Sequence, residues 1–321
     1  MSSPVVPSVS LAASSSASAA PQASQGAAFG RHELLGWAAL ALTLCIWAAF
    51  FISLRAGARA ALPPAELAFL RFAPAGLLLA PLFWHRRERF AAVPVKLWVL
   101  IVAGAGLPYF LVAGWGMRHA PVSDGATLIP GTLPLFTALL AAALHGRAAL
   151  SRWPALLCIA AGIATMLAMK AGHAELAQGY AMFLLGSLMW SAYTLALREA
   201  KLAPIEAAAM ISSVSLLLLL PLLLWQIGQG GLGSLALPSL SREQLLLQLG
   251  IQGLGVGLIS TMSYSLAVTR LGAQRTATAG ALTPVLATLL AVPLFGERPD
   301  GATLIGMLLI AAGVLWSQRA R

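Results

Sequence analysis

Long apolar stretches separated by short polar joints set the pattern of this chain. From Trp37 to Arg55 it reads WAALALTLCIWAAFFISLR, and from Tyr180 to Arg198 it reads YAMFLLGSLMWSAYTLALR. About 20 apolar residues in an α-helix span a hydrocarbon core of roughly 30 Å. Windows of that length predict ten helices, over 36–55, 65–84, 97–118, 121–144 and 152–169, then 179–199, 204–225, 246–270, 273–295 and 301–317. The expectation is an all-α membrane protein.

The pattern also repeats. A shift of 143 residues lays Trp47 on Trp190, Phe50 on Tyr193, Leu54 on Leu197 and Arg55 on Arg198. Glu66 and Pro81 fall on Glu206 and Pro221 at 140, Gly104 and Gly106 on Gly255 and Gly257 at 151, and Arg118 on Arg270 at 152. Pro134 meets Pro284 at 150, and Ile-Ala-Ala-Gly occurs at both 159–162 and 310–313. Apolar helices resemble one another through Leu and Ala alone, so the weight rests on the Trp, Gly, Pro and Arg positions. Regular self-similarity marks a doubled unit. Two five-helix repeats are expected, over 34–170 and 178–318. Five crossings is an odd number, so the second copy enters the membrane from the opposite face.

Composition agrees with lipid as the solvent. Of 321 residues, 59% are hydrophobic and 9% charged, and the mean hydropathy is +0.85. A soluble body of this size has too few interior positions for so much apolar surface. The net charge of +10 would suggest nucleic acid in a soluble protein. Here the basic residues sit between apolar runs, which reads as membrane orientation and not as a nucleic-acid surface. With the N-terminus inside, 13 Lys and Arg fall on cytoplasmic segments and six on the far side, with Arg71 inside a helix. Both termini are therefore expected to be cytoplasmic, in a multi-pass inner-membrane protein. The first 30 residues are rich in Ser, Ala and Pro. They lack the basic start and apolar core of a secretory signal, so they read as a disordered tail. Cys45 and Cys158 lie in apolar runs with no CxxC or His neighbour, so no metal or cofactor is expected.

Inverted repeats place a cavity at their interface near mid-bilayer, and rocking one half on the other opens it to each side in turn. A transporter is the expected class, with a small-molecule substrate and membrane lipid as partners. A homodimer is left open. A membrane-embedded enzyme or scaffold would carry clustered acids and histidines, but no HExxH and no paired carboxylates occur. His85, His119, His145 and His173 are expected in loops. A channel-like facilitator would need a continuous polar stripe, and the helices show isolated Ser and Thr.

Arg71 is the most informative residue. An intramembrane cation costs about 2.5–3.5 kcal/mol on insertion scales. Either it snorkels to the outer face, or it faces the cavity and receives an anionic group such as a carboxylate. Its counterpart 140 residues on is Ile211. Trp47 and Trp190 lie mid-helix, below the level of interfacial aromatic belts; they either pack between helices or line the cavity with Tyr193. Tyr109, Trp115 and Tyr264 are further substrate-binding candidates. Pro134 and Pro284 are expected to kink their helices. Glycines at 104, 106, 114 and 116, and at 250, 253, 255 and 257, allow close helix approach. Glu66, Glu206 and Asp124 read as helix-start acids favoured by the macrodipole. Facilitated diffusion and proton-linked exchange both stay open.

The Trp-x-x-Phe...Arg of the first helix, Leu-Arg-Phe at 70–72, the Pro134 and Pro284 helices, and Phe-Gly-Glu-Arg at 295–298 before a Gly-rich last helix resemble EamA-type transporters of the drug/metabolite transporter superfamily. The resemblance covers about 34–318 and both halves. It implies a ten-helix permease of the inner membrane, one of a group many of whose members export amino acids or other small metabolites. The first half departs from the family: His-Gly-Arg stands at 145–147 where Gly-Glu-Arg is frequent. A role for the loop glutamate therefore carries over to Glu297 alone.

Overall fold

Proline and glycine mark most of the joints between the apolar runs. In the computed structural model, which describes residues 30–146, 150–169, 172–231 and 235–318, each run is helical and no strand occurs among those residues. The helices are α1 (Arg31–Arg59), α2 (Pro64–His85), α3 (Val95–His119), α4 (Val122–His145), α5 (Trp153–Met169), α6 (Ala174–Ala200), α7 (Pro204–Gly230), α8 (Arg242–Leu271), α9 (Thr278–Phe295) and α10 (Gly301–Gln318). Among the described residues nine of them are long and apolar enough to cross a membrane, and α5 is a shorter apolar helix. The N-terminal tail as far as residue 29, Arg147, Lys170, Arg319 and Arg321 lie outside the described residues.

Helix starts follow local chemistry. Pro64 and Pro204 open α2 and α7, where a missing N–H costs nothing. Each is followed by an acid in the first turn. Glu206 accepts the Ala203 N–H at 2.9 Å and pairs with Arg89 at 2.9 Å. Glu66 reaches further, accepting from Gln226 at 2.7 Å and from the backbone N–H groups of Ala236 and Leu237 at 3.0 and 2.6 Å. His85, His119 and His145, expected in loops, instead close α2, α3 and α4, where a helix C-terminus favours a cationic side chain.

Three helices are interrupted inside the bundle. In α3 the backbone breaks at Gly106, and the freed Leu107 N–H donates to the Ser215 hydroxyl at 2.9 Å. Helix α4 breaks at Thr132, just before Pro134 in the first turn of the restarted segment. Pro284 holds the same place in Thr283–Phe295, behind turn residues Ala281 and Leu282. In α8 the stretch Leu249–Ile259 is π-helical, a widened coil often found at functional sites.

Two helix pairs run antiparallel. Ser213 of α7 donates to the Gly76 carbonyl of α2, while Glu66 at the start of α2 meets Gln226 near the end of α7. Arg152, just before α5, donates to the Ser317 carbonyl at the end of α10. Between them Ile-Ala-Ala-Gly meets Ile-Ala-Ala-Gly. A Cβ on Gly162 would lie 2.7 Å from Ile310 Cγ1, and one on Gly313 would lie 2.7 Å from Ile159 Cγ1. Helix α1 packs on α8 and α9, and α6 packs on α3 and α4.

Exposed tryptophans stand near helix ends: Trp37, Trp84, Trp153 and Trp316 near one face, Trp115 and Trp225 near the other. Such girdles sit at the level of lipid headgroups.

Candidate functional site

Arg71 lies seven residues into α2, about 10 Å along the axis. Only 9% of it is exposed. One guanidinium nitrogen donates to the main-chain carbonyl of Gln252 in the π-helical stretch of α8 at 3.1 Å, and the group sits 5.2 Å from the Phe72 ring centroid. The approach requires Gly257, where a Cβ would lie 2.9 Å from Arg71 Nη1. Among the described residues no carboxylate pairs with Arg71. Tyr109 of α3, 6% exposed, is near enough to interact with this charge, and its hydroxyl has no hydrogen-bond partner among the described residues.

Two tryptophan–tyrosine pairs occupy the middle of the bundle. Trp47 of α1 stands 5.2 Å from Tyr264 of α8, and Trp190 of α6 stands 5.4 Å from Tyr109 of α3, both between ring centroids. By sequence offset α1 corresponds to α6 and α3 to α8, so the two pairs are counterparts. Tyr193, half-buried, packs across α6 onto Gly104 of α3. Trp115 is set apart: it is 46% exposed and lies beside His119 and Arg118 at the end of α3. Six of the seven expected contact residues thus lie on the helices α1, α2, α3, α6 and α8 of the centre, and Trp115 belongs to a girdle.

Two polar knots tie one face of the bundle. Glu297, between α9 and α10, accepts from Arg55 at 2.6 Å, Arg59 at 3.0 Å and the Val122 N–H at 2.9 Å. Arg55 also donates to the Met117 carbonyl at 2.6 Å. Asp124, fully buried in the first turn of α4, accepts from Tyr180 at 2.6 Å, Thr303 at 2.8 Å and Ser123 at 3.2 Å. An opening of about 240 Å³ beside it is lined by His173 and Tyr180 among others. A second, apolar groove of about 590 Å³ runs between α3 and α7 past Trp98, Pro108 and Val214. Neither reaches Arg71 or Trp190.

Sequence reading passed over Gln252 and Gln248, buried amides on α8. The available signal was an amide pair at a spacing of four inside an apolar run. No group of three or more His, Cys, Asp or Glu able to hold a metal occurs among the described residues.

Comparison with known proteins gives the site a setting. A crystal structure of a protein superposes with a TM-score of 0.55 at 23% identity, over 89% of this chain and 95% of its own, which speaks to the fold. A probable terminal-alkyne amino-acid exporter of Streptantibioticus cattleyicolor is 27% identical over 288 residues, 88% of this chain and 92% of its own. The model of the EamA-like transporter family matches twice, at residues 34–168 and 177–318. With both halves matched, and with a bundle of apolar helices girdled by tryptophan, the chain belongs to the EamA-like transporter family, as a multi-pass membrane transporter.

Proposed function

We propose that this protein is an inner-membrane permease that exports or exchanges a small metabolite, such as an amino acid, by alternating access. Its ten helices form two inverted five-helix repeats, residues 34–170 and 178–318, with both termini cytoplasmic. Three observations support the inversion: α2 runs antiparallel to α7, α5 runs antiparallel to α10, and the two Ile-Ala-Ala-Gly segments pack reciprocally. The substrate site lies between the repeats, with Trp47, Tyr109, Trp190, Tyr193 and Tyr264 as its aromatic walls and Arg71 as its anion-binding group.

The observation that carries this reading is Arg71. A guanidinium presents five N–H donors, and here it is buried in the bundle with no carboxylate partner among the described residues. A charge kept at that depth marks a substrate pathway. The Streptantibioticus cattleyicolor relative, a probable exporter, supports the direction.

The test is flux. Proteoliposomes containing the protein are loaded with a metabolite panel, and efflux is followed by mass spectrometry. Arg71→Ala, inserted at wild-type level, should lower efflux of the transported species by about tenfold or more, the loss of a hydrogen bond to a charged group. Unchanged efflux would place Arg71 among the snorkelling cations and remove the site.

A further inference from the structure

Two glutamines on α8 lie four residues apart and both contact α1, yet they are treated differently. Gln248 is closed by one residue: the Ser53 hydroxyl donates to its side-chain oxygen, and its amide donates to the Ser53 carbonyl at 3.0 Å. Gln252 is fully buried, and its amide donates to the Phe50 carbonyl at the long distance of 3.5 Å. Its side-chain oxygen has no partner among the described residues. The same is true of the Tyr109 hydroxyl on α3. Arg71 is bound to the main-chain carbonyl of Gln252, and its charge lies within electrostatic range of Tyr109. A buried polar atom without a partner is destabilising, and lipid offers no water to relieve it. The Gln248 arrangement shows that a short side chain on α1 suffices to close such an amide.

We infer that Gln252, Arg71 and Tyr109 form one head-group subsite, for a small acid that carries an N–H or O–H donor on the carbon next to its carboxylate. The inference rests on the transport reading above and names the chemistry of that same site. Arg71 and the Tyr109 hydroxyl donate to the carboxylate. The Gln252 side-chain oxygen accepts from the neighbouring ammonium or hydroxyl. A plain carboxylic acid satisfies the two donors and leaves the Gln252 oxygen orphaned. A site built to pair a donor discriminates strongly against the analogue that lacks it. Gln252 is thus the selecting residue, and Arg71 the group that binds every acid.

The experiment measures binding to the full-length protein in nanodiscs, by ligand-induced shift of the melting curve and by competition. The probes are leucine and phenylalanine, each with its 2-hydroxy acid and its plain carboxylic acid of the same side chain. In wild type the amino and hydroxy acids should bind at least about tenfold more tightly than the plain acid, the gap expected when one buried acceptor is left unpaired. Gln252→Leu and Gln252→Met should each narrow that gap to about twofold without lowering the melting point of the free protein. Gln248→Leu should lower the melting point and leave the gap intact. Arg71→Gln should remove binding of all six probes. A wild-type gap retained in both Gln252 variants would overturn the inference, as would failure of both probe sets to bind wild type. In either case efflux of other metabolites from proteoliposomes would show whether the transport reading survives, and efflux of none would end that reading separately.

Discussion

The α3–α7 seam and the α8–α2 seam sit at matching places by sequence offset, and they resolve a similar backbone problem in opposite ways. At the first, Gly106 breaks α3 and Ser215 takes the freed Leu107 N–H, so the polar count closes. At the second, Gly257 lies in a π-helical stretch against Ala75 and Arg71, and the Gln252 oxygen is left over among the described residues. Gly106 and Gly257 correspond at 151 residues, and Ser215 and Ala75 at 140. The second seam carries the buried Arg71 where the first carries Ile211. On the proposed reading of two inverted repeats, halves of like frame would hold a solute that has distinct ends.

The largest way to break the comparison is to break the frame. Gly162→Leu drives a side chain into the Gly306 carbonyl, 2.8 Å from the Cβ position, and into Ile310. Overpacking of this kind costs about 1–3 kcal/mol or more, so the variant should lose most of its folded yield in detergent, seen by size-exclusion chromatography. Next, Arg71→Ile makes the second seam like the first, whose counterpart is Ile211. Flux should fall by about tenfold or more, while the melting point rises, because an insertion cost of about 2.5–3.5 kcal/mol is removed. A lower melting point would mean that Arg71 holds the fold together. Third, Ser215→Ala orphans the Leu107 N–H and should destabilise by about 1–3 kcal/mol, read from thermal unfolding, with substrate affinity unchanged. The smallest effects belong to the aromatic pairs. Trp47→Ala and Trp190→Ala should each change apparent affinity by about two- to tenfold, the worth of an aromatic contact. Wild-type affinity in both, measured by competition in proteoliposomes, would assign them to packing.

Much of the frame was legible because lipid enforces a crude rule, that an apolar run must be helical. The expected 65–84, 97–118 and 121–144 compare with Pro64–His85, Val95–His119 and Val122–His145. The rule fails at polar ends: α6 begins at Ala174, before Glu175 and Gln178, where 179 was expected, and α7 runs on to Gly230 beyond 225. The run of glycines in α8 signalled close approach without revealing a π-helix, since glycine permits many coils and selects none. Arg71 stood out by its charge. Gln252 did not, because an uncharged amide in an apolar run carries no signal until its neighbours are known. Trp115 could not be told from Trp47 by residue type; only its place at a helix end separates them.

The reciprocal contact of α5 with α10 has a mechanical consequence. With Gly162 and Gly313 bringing main chain against side chain at under 3 Å from any added carbon, that line cannot part without exposing backbone to lipid. On the proposed alternating-access reading this line serves as a spine, and the halves part away from it, at the tryptophan–tyrosine pairs in the middle of the bundle.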